Sequence, residues 1–205
     1  MITLFFIFSA DKYEPAYWSA DVIFLLDSSG FVLAKNLILK KNFVKLMARL
    51  LNLENNRTRA ALFAFGDNPE LQISFDGYED REAFDAAVNK VPHLQGNRRI
   101  DKAFKSAADL LRSKSRPTVP SYVVLLTTGT QTLESDTRSL ADASQEIRKY
   151  GGRIFVVAVL TGGYKISDFY AAVQRPEDAV SLSSFVELLP RAPSIAARMI
   201  ASWSE

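Results

Sequence analysis

Uninterrupted apolar runs alternate along this chain with segments whose apolar residues recur every three or four positions. "DVIFLLD" (Asp21–Asp27), "RAALFAFGD" (Arg59–Asp67), "SYVVLLTTG" (Ser121–Gly129) and "RIFVVAVL" (Arg153–Leu160) are runs of strand length with few polar breaks. That is the pattern of strands covered on both faces. "LQISF" (Leu71–Phe75) alternates instead and is bounded by turn residues, so it predicts a short hairpin partner at a sheet edge. The segment Lys35–Leu53 has Leu37, Ile38, Leu46, Leu50 and Leu51 at helical spacing and predicts a helix with a basic outer face. "REAFDAAVNKV" and "IDKAFKSAADLLRS" predict two amphipathic helices, and "ESDTRSLADASQEIRKYGG" a third that stops at Gly151. "KISDFYAAVQ" predicts a short helix and "DAVSL" a short strand. The last segment predicts helix interrupted at Pro190 and Pro193.

This alternation predicts an α/β fold: a doubly wound, Rossmann-like, mainly parallel sheet with one short antiparallel edge strand and helices on both faces. Right-handed crossovers would bring the ends of the parallel strands to one rim, where open sheets of this kind bind ligands. The loops that matter are then Asp27–Phe31, Gly66–Pro69, Gln95–Asp101, Thr127–Gln131 and Thr161–Tyr164. The opening "MITLFFIFSA" is strongly apolar but too short to span a bilayer. It fits the apolar region of a signal peptide ending near Ala10, or a buried flanking strand. Residues 1–20 are therefore set apart as an apolar segment and linker, and residues 21–205 as one domain.

Composition narrows the function classes. Lys and Arg number 25 against 23 Asp and Glu, a net charge of +2, which gives no broad footprint for nucleic acid. There is no cysteine, which excludes disulfide and thiol chemistry and argues strongly against structural zinc. His93 is the single histidine and stands in a loop, where it reads as a surface residue. Ser28 and Ser29 are not set in a nucleophile elbow, and no phosphate-binding glycine loop follows the first strand.

One stretch carries candidate chemistry. In "LLDSSGF" a buried strand delivers Asp27, Ser28 and Ser29 to its end, the start of an oxygen-ligand site for a hard cation such as Mg²⁺. Here the chain resembles the von Willebrand factor type A domain, from about Asp21 to the C-terminus. The resemblance rests on "DVIFLLDSSG", "TRAALFAFGD", "GNRRIDKAF", "VVLLTTG" and "GGRIFVVAVL" in that order. It implies a metal-ion-dependent adhesion site built from three rim loops. Asp27 and Ser29 match the first two members of its Asp-x-Ser-x-Ser motif, but Phe31 replaces the last Ser. Arg98 stands at or beside the Thr position of the second loop, and Thr128 replaces the Asp of the third. Two like charges about 4 Å apart repel by roughly 4 kcal/mol at an effective dielectric of about 20. The metal site is therefore expected to be lost: no cofactor, with Mg²⁺ disfavoured and only Asp27 and Ser29 left to ligate it. The ring of Phe31 is then expected to pack against the first helix.

Two readings of Asp27 stay open. It is either a relic held by turn amides and Ser29, or the partner of Arg98. Arg98 and Arg99 are either a recognition patch for an acidic partner or a solvent-facing pair at a helix start. By resemblance the chain is a non-enzymatic, metal-independent protein–protein interaction module of an extracellular or matrix protein. Its expected partner is a protein such as collagen or another matrix component, without nucleic acid and without membrane insertion of the folded domain. The rivals are a metal-dependent domain recruiting Asp101 or Asp67, and a small α/β enzyme using Asp27 at the rim. An enclosed pocket with a raised carboxylate pKa would favour the enzyme.

Overall fold

A computed structural model describes residues 18–53, 57–160 and 163–202. Nearly all of the apolar N-terminal segment, and Thr161 and Gly162 of the last expected rim loop, lie outside the described residues. Six strands form one sheet: β1 (Asp21–Asp27), β2 (Arg59–Phe65), β3 (Pro69–Ile73), β4 (Ser121–Thr127), β5 (Gly152–Val159) and β6 (Ala179–Leu182). Their order is β3-β2-β1-β4-β5-β6. All pairings are parallel except β2 with β3, the antiparallel edge that the alternation of Leu71–Phe75 anticipates.

The side chains of each central strand divide between two cores. From β1, Val22, Phe24 and Leu26 face one side together with α1 (Ala34–Leu50), α2 (Arg81–Lys90) and α5 (Leu188–Ala201). Ile23 and Leu25 face the other, with α3 (Ile100–Lys114) and α4 (Leu140–Lys149). A strand covered on both faces has no polar side to show, which is why these segments read as unbroken apolar runs.

Several elements differ from the sequence pattern. The helix α4 begins at Leu140, not near Glu134, because Ser139 caps it by accepting from the Asp142 amide. Residues 134–138 instead fold back toward the rim. The segment 165–174 holds only a 3₁₀ turn at Ile166–Phe169, whose Phe169 is buried. Helix α5 runs unbroken through both prolines. Pro190 lies in its first turn, where no backbone donor is needed, and Pro193 removes a single intrahelical bond.

At the strand ends the loops are stitched to one another. The Ser28 hydroxyl donates to the Pro92 carbonyl at 2.7 Å and accepts from the Leu94 amide at 3.1 Å. Gln95 N donates to Ser28 O, Gly30 N to Gly96 O, and Arg99 N to Gly66 O. Gly66 is required for closeness, since a Cβ there would lie 2.1 Å from the Gln95 carbonyl oxygen. Gly66→Ala is therefore expected to push the 94–97 loop outward and to cost about 1–3 kcal/mol. Urea denaturation measures this, and an unchanged midpoint would contradict the packing described.

Candidate functional site

The last residue of β1, Asp27, is fully buried at the rim. Its Oδ1 accepts from the Ser29 amide at 3.1 Å and the Ser29 hydroxyl at 2.6 Å. Its Oδ2 accepts from Arg98 Nε at 3.0 Å, and from the Thr128 amide and hydroxyl at 3.2 and 3.1 Å. The Thr127 hydroxyl lies 3.2 Å from the same oxygen. Three of the five residues read from the sequence, Ser29, Arg98 and Thr128, thus converge on the carboxylate of a fourth, Asp27.

Arg98 enters from the turn before α3 and is 3% exposed. Its guanidinium is divided between two loops: Nε to Asp27 at the end of β1, and Nη2 to the Thr128 hydroxyl at 2.7 Å with Nη1 to the Thr130 carbonyl at 2.8 Å in the loop after β4. Its backbone continues the stitching, with Thr132 N donating to Arg98 O at 2.9 Å. The pair is therefore monodentate, and the rest of the fork ties down the β4–α4 loop. Phe31, the fifth residue, is 56% exposed and is not among the buried residues of the core. Its ring lies over the guanidinium, 4.7 Å from Arg98 Cζ to the centroid, an attractive cation–π geometry.

The sequence pattern missed Lys40. It is fully buried in α1, donates to the Asp27 carbonyl at 2.7 Å and lies 3.8 Å from Asp27 Oδ2. The signal was present: Lys40 falls three residues after Leu37 and three before Phe43, inside the buried stripe of α1, not on its outer face. The site thus contains two cations and one carboxylate. Burial alone would raise the Asp27 pKa, but the charges of Lys40 and Arg98 and the Ser29 bonds outweigh it and bring it down to about 2. Burial pushes Lys40 down to about 8, opposed by Asp27 and reinforced by Arg98.

Arg99 is no surface residue either. It is 1% exposed, grips Asp101 with Nε at 3.0 Å and Nη2 at 2.9 Å, and directs Nη1 to Glu134 at 2.5 Å and Asp136 at 2.8 Å. The pairing of Arg98 with Asp27 is the one of the two open readings that the geometry adopts, and neither Arg98 nor Arg99 forms the recognition patch or solvent-facing pair that the sequence also offered: both are internal cations that hold residues 130–138 against the start of α3. Asp101 is committed to Arg99 and to the Arg138 amide. Asp67 accepts from the Asn97 amide at 2.8 Å. Neither is turned toward Asp27 as a spare ligand. His93 is half-buried, with Nε2 3.2 Å from the Ser29 carbonyl, so it braces the first loop.

The donor set does not fit a hard divalent cation. The carboxylate that would bind it is occupied by proton donors, Thr128 offers no charge, Phe31 offers no ligand atom, and two cations stand within 4 Å. Among the described residues no group of three or more His, Cys, Asp or Glu is arranged to hold a metal.

Comparison with known proteins agrees with the fold. The family model described as von Willebrand factor type A domain matches residues 21–183. Von Willebrand factor A domain-containing protein 1 of Danio rerio is 28% identical over 151 residues, 71% of this chain and 29% of that protein. Collagen alpha-4(VI) chain of Mus musculus is 24% identical over 140 residues, 68% of this chain and 6% of that protein. The chain thus spans less than a third of either relative. Among solved structures, proximal thread matrix protein 1 from the mussel byssus with a zinc-occupied MIDAS motif superposes with a TM-score of 0.77 at 25% identity. That match covers 89% of this chain and 46% of the other.

The pKa of Asp27 gives a test with a defined sign. A carboxylate held below its unfolded value contributes stability above that value, and the contribution is lost as pH falls through the folded one. The stability difference between the wild type and Asp27→Asn is expected to shrink by about 2 kcal/mol between pH 6 and pH 2.5. Urea denaturation of both proteins across that range measures it, and a difference independent of pH would mean Asp27 is not held ionised.

Proposed function

The chain belongs to the von Willebrand factor type A family, and on that premise we propose that it is a non-enzymatic, metal-independent adhesion module of an extracellular matrix protein. The observation that carries the reading is the guanidinium of Arg98 on the Asp27 carboxylate. It supplies internally the positive charge that this carboxylate needs, so the rim is assembled without an added ion. Around it stand exposed apolar side chains: Phe31 at 56%, Leu33 at 60%, Leu133 at 80% and Tyr164 at 42%. Apolar side chains clustered on an open surface mark protein contact more often than catalysis. A carboxylate held near pKa 2, with both oxygens already accepting hydrogen bonds, is a poor general base, which speaks against the enzymatic alternative.

The relatives support a matrix setting, since they include collagen chains and Matrilin-1 of Gallus gallus. The partner we propose is collagen or another structural matrix protein, met outside the cell. No described helix is long and apolar enough to cross a membrane.

Surface plasmon resonance over immobilised collagen tests both parts. Saturable binding is expected, equal in 5 mM EDTA and 5 mM Mg²⁺ to within about twofold, because nothing at the rim is gained from the ion. Phe31→Asp with Leu133→Asp is expected to weaken it at least about tenfold, equivalent to ~1.4 kcal/mol. Binding abolished by EDTA would contradict metal independence. Binding indifferent to the double substitution would remove the rim from the contact.

A further inference from the structure

The exposed side chains of the rim are joined to one another through Arg98. Phe31 covers its guanidinium, 4.7 Å from Cζ to the ring centroid. Tyr164 approaches the same guanidinium over Gly129: a Cβ on that glycine would lie 2.7 Å from both Arg98 Nη1 and Tyr164 Cε2. Leu133, 80% exposed, follows Thr132, whose amide donates to the Arg98 carbonyl. Next in the chain come Glu134, held by Asn97 Nδ2 at 2.7 Å, and Asp136, and both meet Arg99. Asn97 in turn donates its amide to Asp67. Two aromatic rings and a leucine thus lead directly into a border of three carboxylates.

Charge on this surface is sorted by depth. Its cations are internal: Lys40, Arg98 and Arg99 are all buried. Its carboxylates are external: the side chain of Asp136 is 63% exposed, that of Glu134 37%, and Asp67 is exposed as well. Asp67, Asp101, Glu134 and Asp136 stand around Arg99 and Lys102, whose ammonium reaches Asn68 at 3.4 Å, which leaves an excess of two negative charges. The outer carboxylates are also held in place, since Arg99 is fixed by two bonds to Asp101 and grips both Glu134 and Asp136. The exposed lysines of this end, Lys35 and Lys165, belong to the segments of Leu33 and Tyr164, not to the one that carries Leu133.

We propose that the protein partner presents a basic side chain, arginine or lysine, flanked by apolar residues, to the surface between Phe31 and Glu134; this rests on the adhesion reading and adds the chemistry of the partner to it. Two independent features select a cation. The carboxylates beside Leu133 attract it and repel an acidic residue in its place. The aromatic rings offer exposed faces that favour a guanidinium or ammonium, and the inner face of Phe31 already holds one. A rim that displayed a divalent ion would draw an acidic residue from its partner. With the positive charge buried in Arg98 and the carboxylates outside, the preference is reversed.

Surface plasmon resonance of the full chain in about 0.15 M NaCl over three immobilised triple-helical peptides provides the test. The peptides share one Gly-Pro-hydroxyproline frame and differ in a guest residue: arginine, leucine or glutamate. The wild type is expected to bind the arginine peptide at least about tenfold more tightly than the glutamate peptide, with leucine between them. Glu134→Gln with Asp136→Asn, changes that keep the hydrogen-bonding atoms, is expected to shrink that ratio at least about threefold. The ranking in the wild type stands whether or not this variant folds. A glutamate peptide bound as well as the arginine peptide would overturn the proposed polarity. It would leave the adhesion reading intact if Phe31→Asp with Leu133→Asp still weakened binding. Absence of binding to all three peptides and to collagen would remove both. Sedimentation equilibrium showing a dimer that Leu133→Asp dissociates would also overturn the proposal, because a second copy would then cover this surface.

Discussion

A carboxylate placed at the end of a central strand, out of reach of water, must be given positive charge and hydrogen bonds or it will not stay ionised. Asp27 is that carboxylate, and the rim is organised by the way its need is met. Arg98 reaches it from the turn before α3 and Lys40 from the first helix, while Ser29 and Thr128 fill the remaining acceptor positions. Each donor belongs to a different segment, so satisfying one side chain fixes the relative positions of three loops and a helix. A metal ion would draw the same loops together through coordination. The Arg98 guanidinium does it through directed hydrogen bonds.

The arrangement repeats on a smaller scale. Arg99, the next residue, organises Asp101, Glu134 and Asp136 on the outer side of the same loop. At the other end of the sheet Asp21 and Asp178 orient arginines that remain partly exposed. Buried ions of this kind are weak sources of net stability but costly to break singly, which makes them effective at specifying one loop conformation. The two ends of the sheet consequently differ. The rim has internal cations and exposed apolar side chains, whereas the base has internal carboxylates and outward guanidiniums.

The parallel sheet was legible because its signal is long and redundant: four unbroken apolar runs, each separated by helical periodicity, and one alternating run at the edge. The positions of Asp27, Ser29, Arg98 and Thr128 at one rim follow from that topology, since parallel strands end together. What escaped was decided by tertiary contact. Lys40 looks like one of several surface lysines until its place in the Leu37–Phe43 stripe is counted. Arg99 becomes internal only because residues 134–138, which carry helix-forming Glu and Arg, fold over it. Phe31 turns outward because the guanidinium gives its ring a partner that the core does not. Pro193 does not end α5, whose buried Leu188, Ala192, Ile195, Ala196 and Met199 hold the helix across the missing bond.

A double-mutant cycle on Arg98→Met and Asp27→Asn, read by chemical denaturation at pH 7, tests the central interaction most directly. Arg98→Met alone is expected to cost about 3 kcal/mol, because it removes the nearest charge from a buried carboxylate. The double variant is expected to cost less than the sum of the two single changes by well over 0.5 kcal/mol, roughly the limit of additivity for independent sites. Losses that simply add would mean that Arg98 and Asp27 do not stabilise each other, and that the rim is held together by something other than an arginine in the place of a cation.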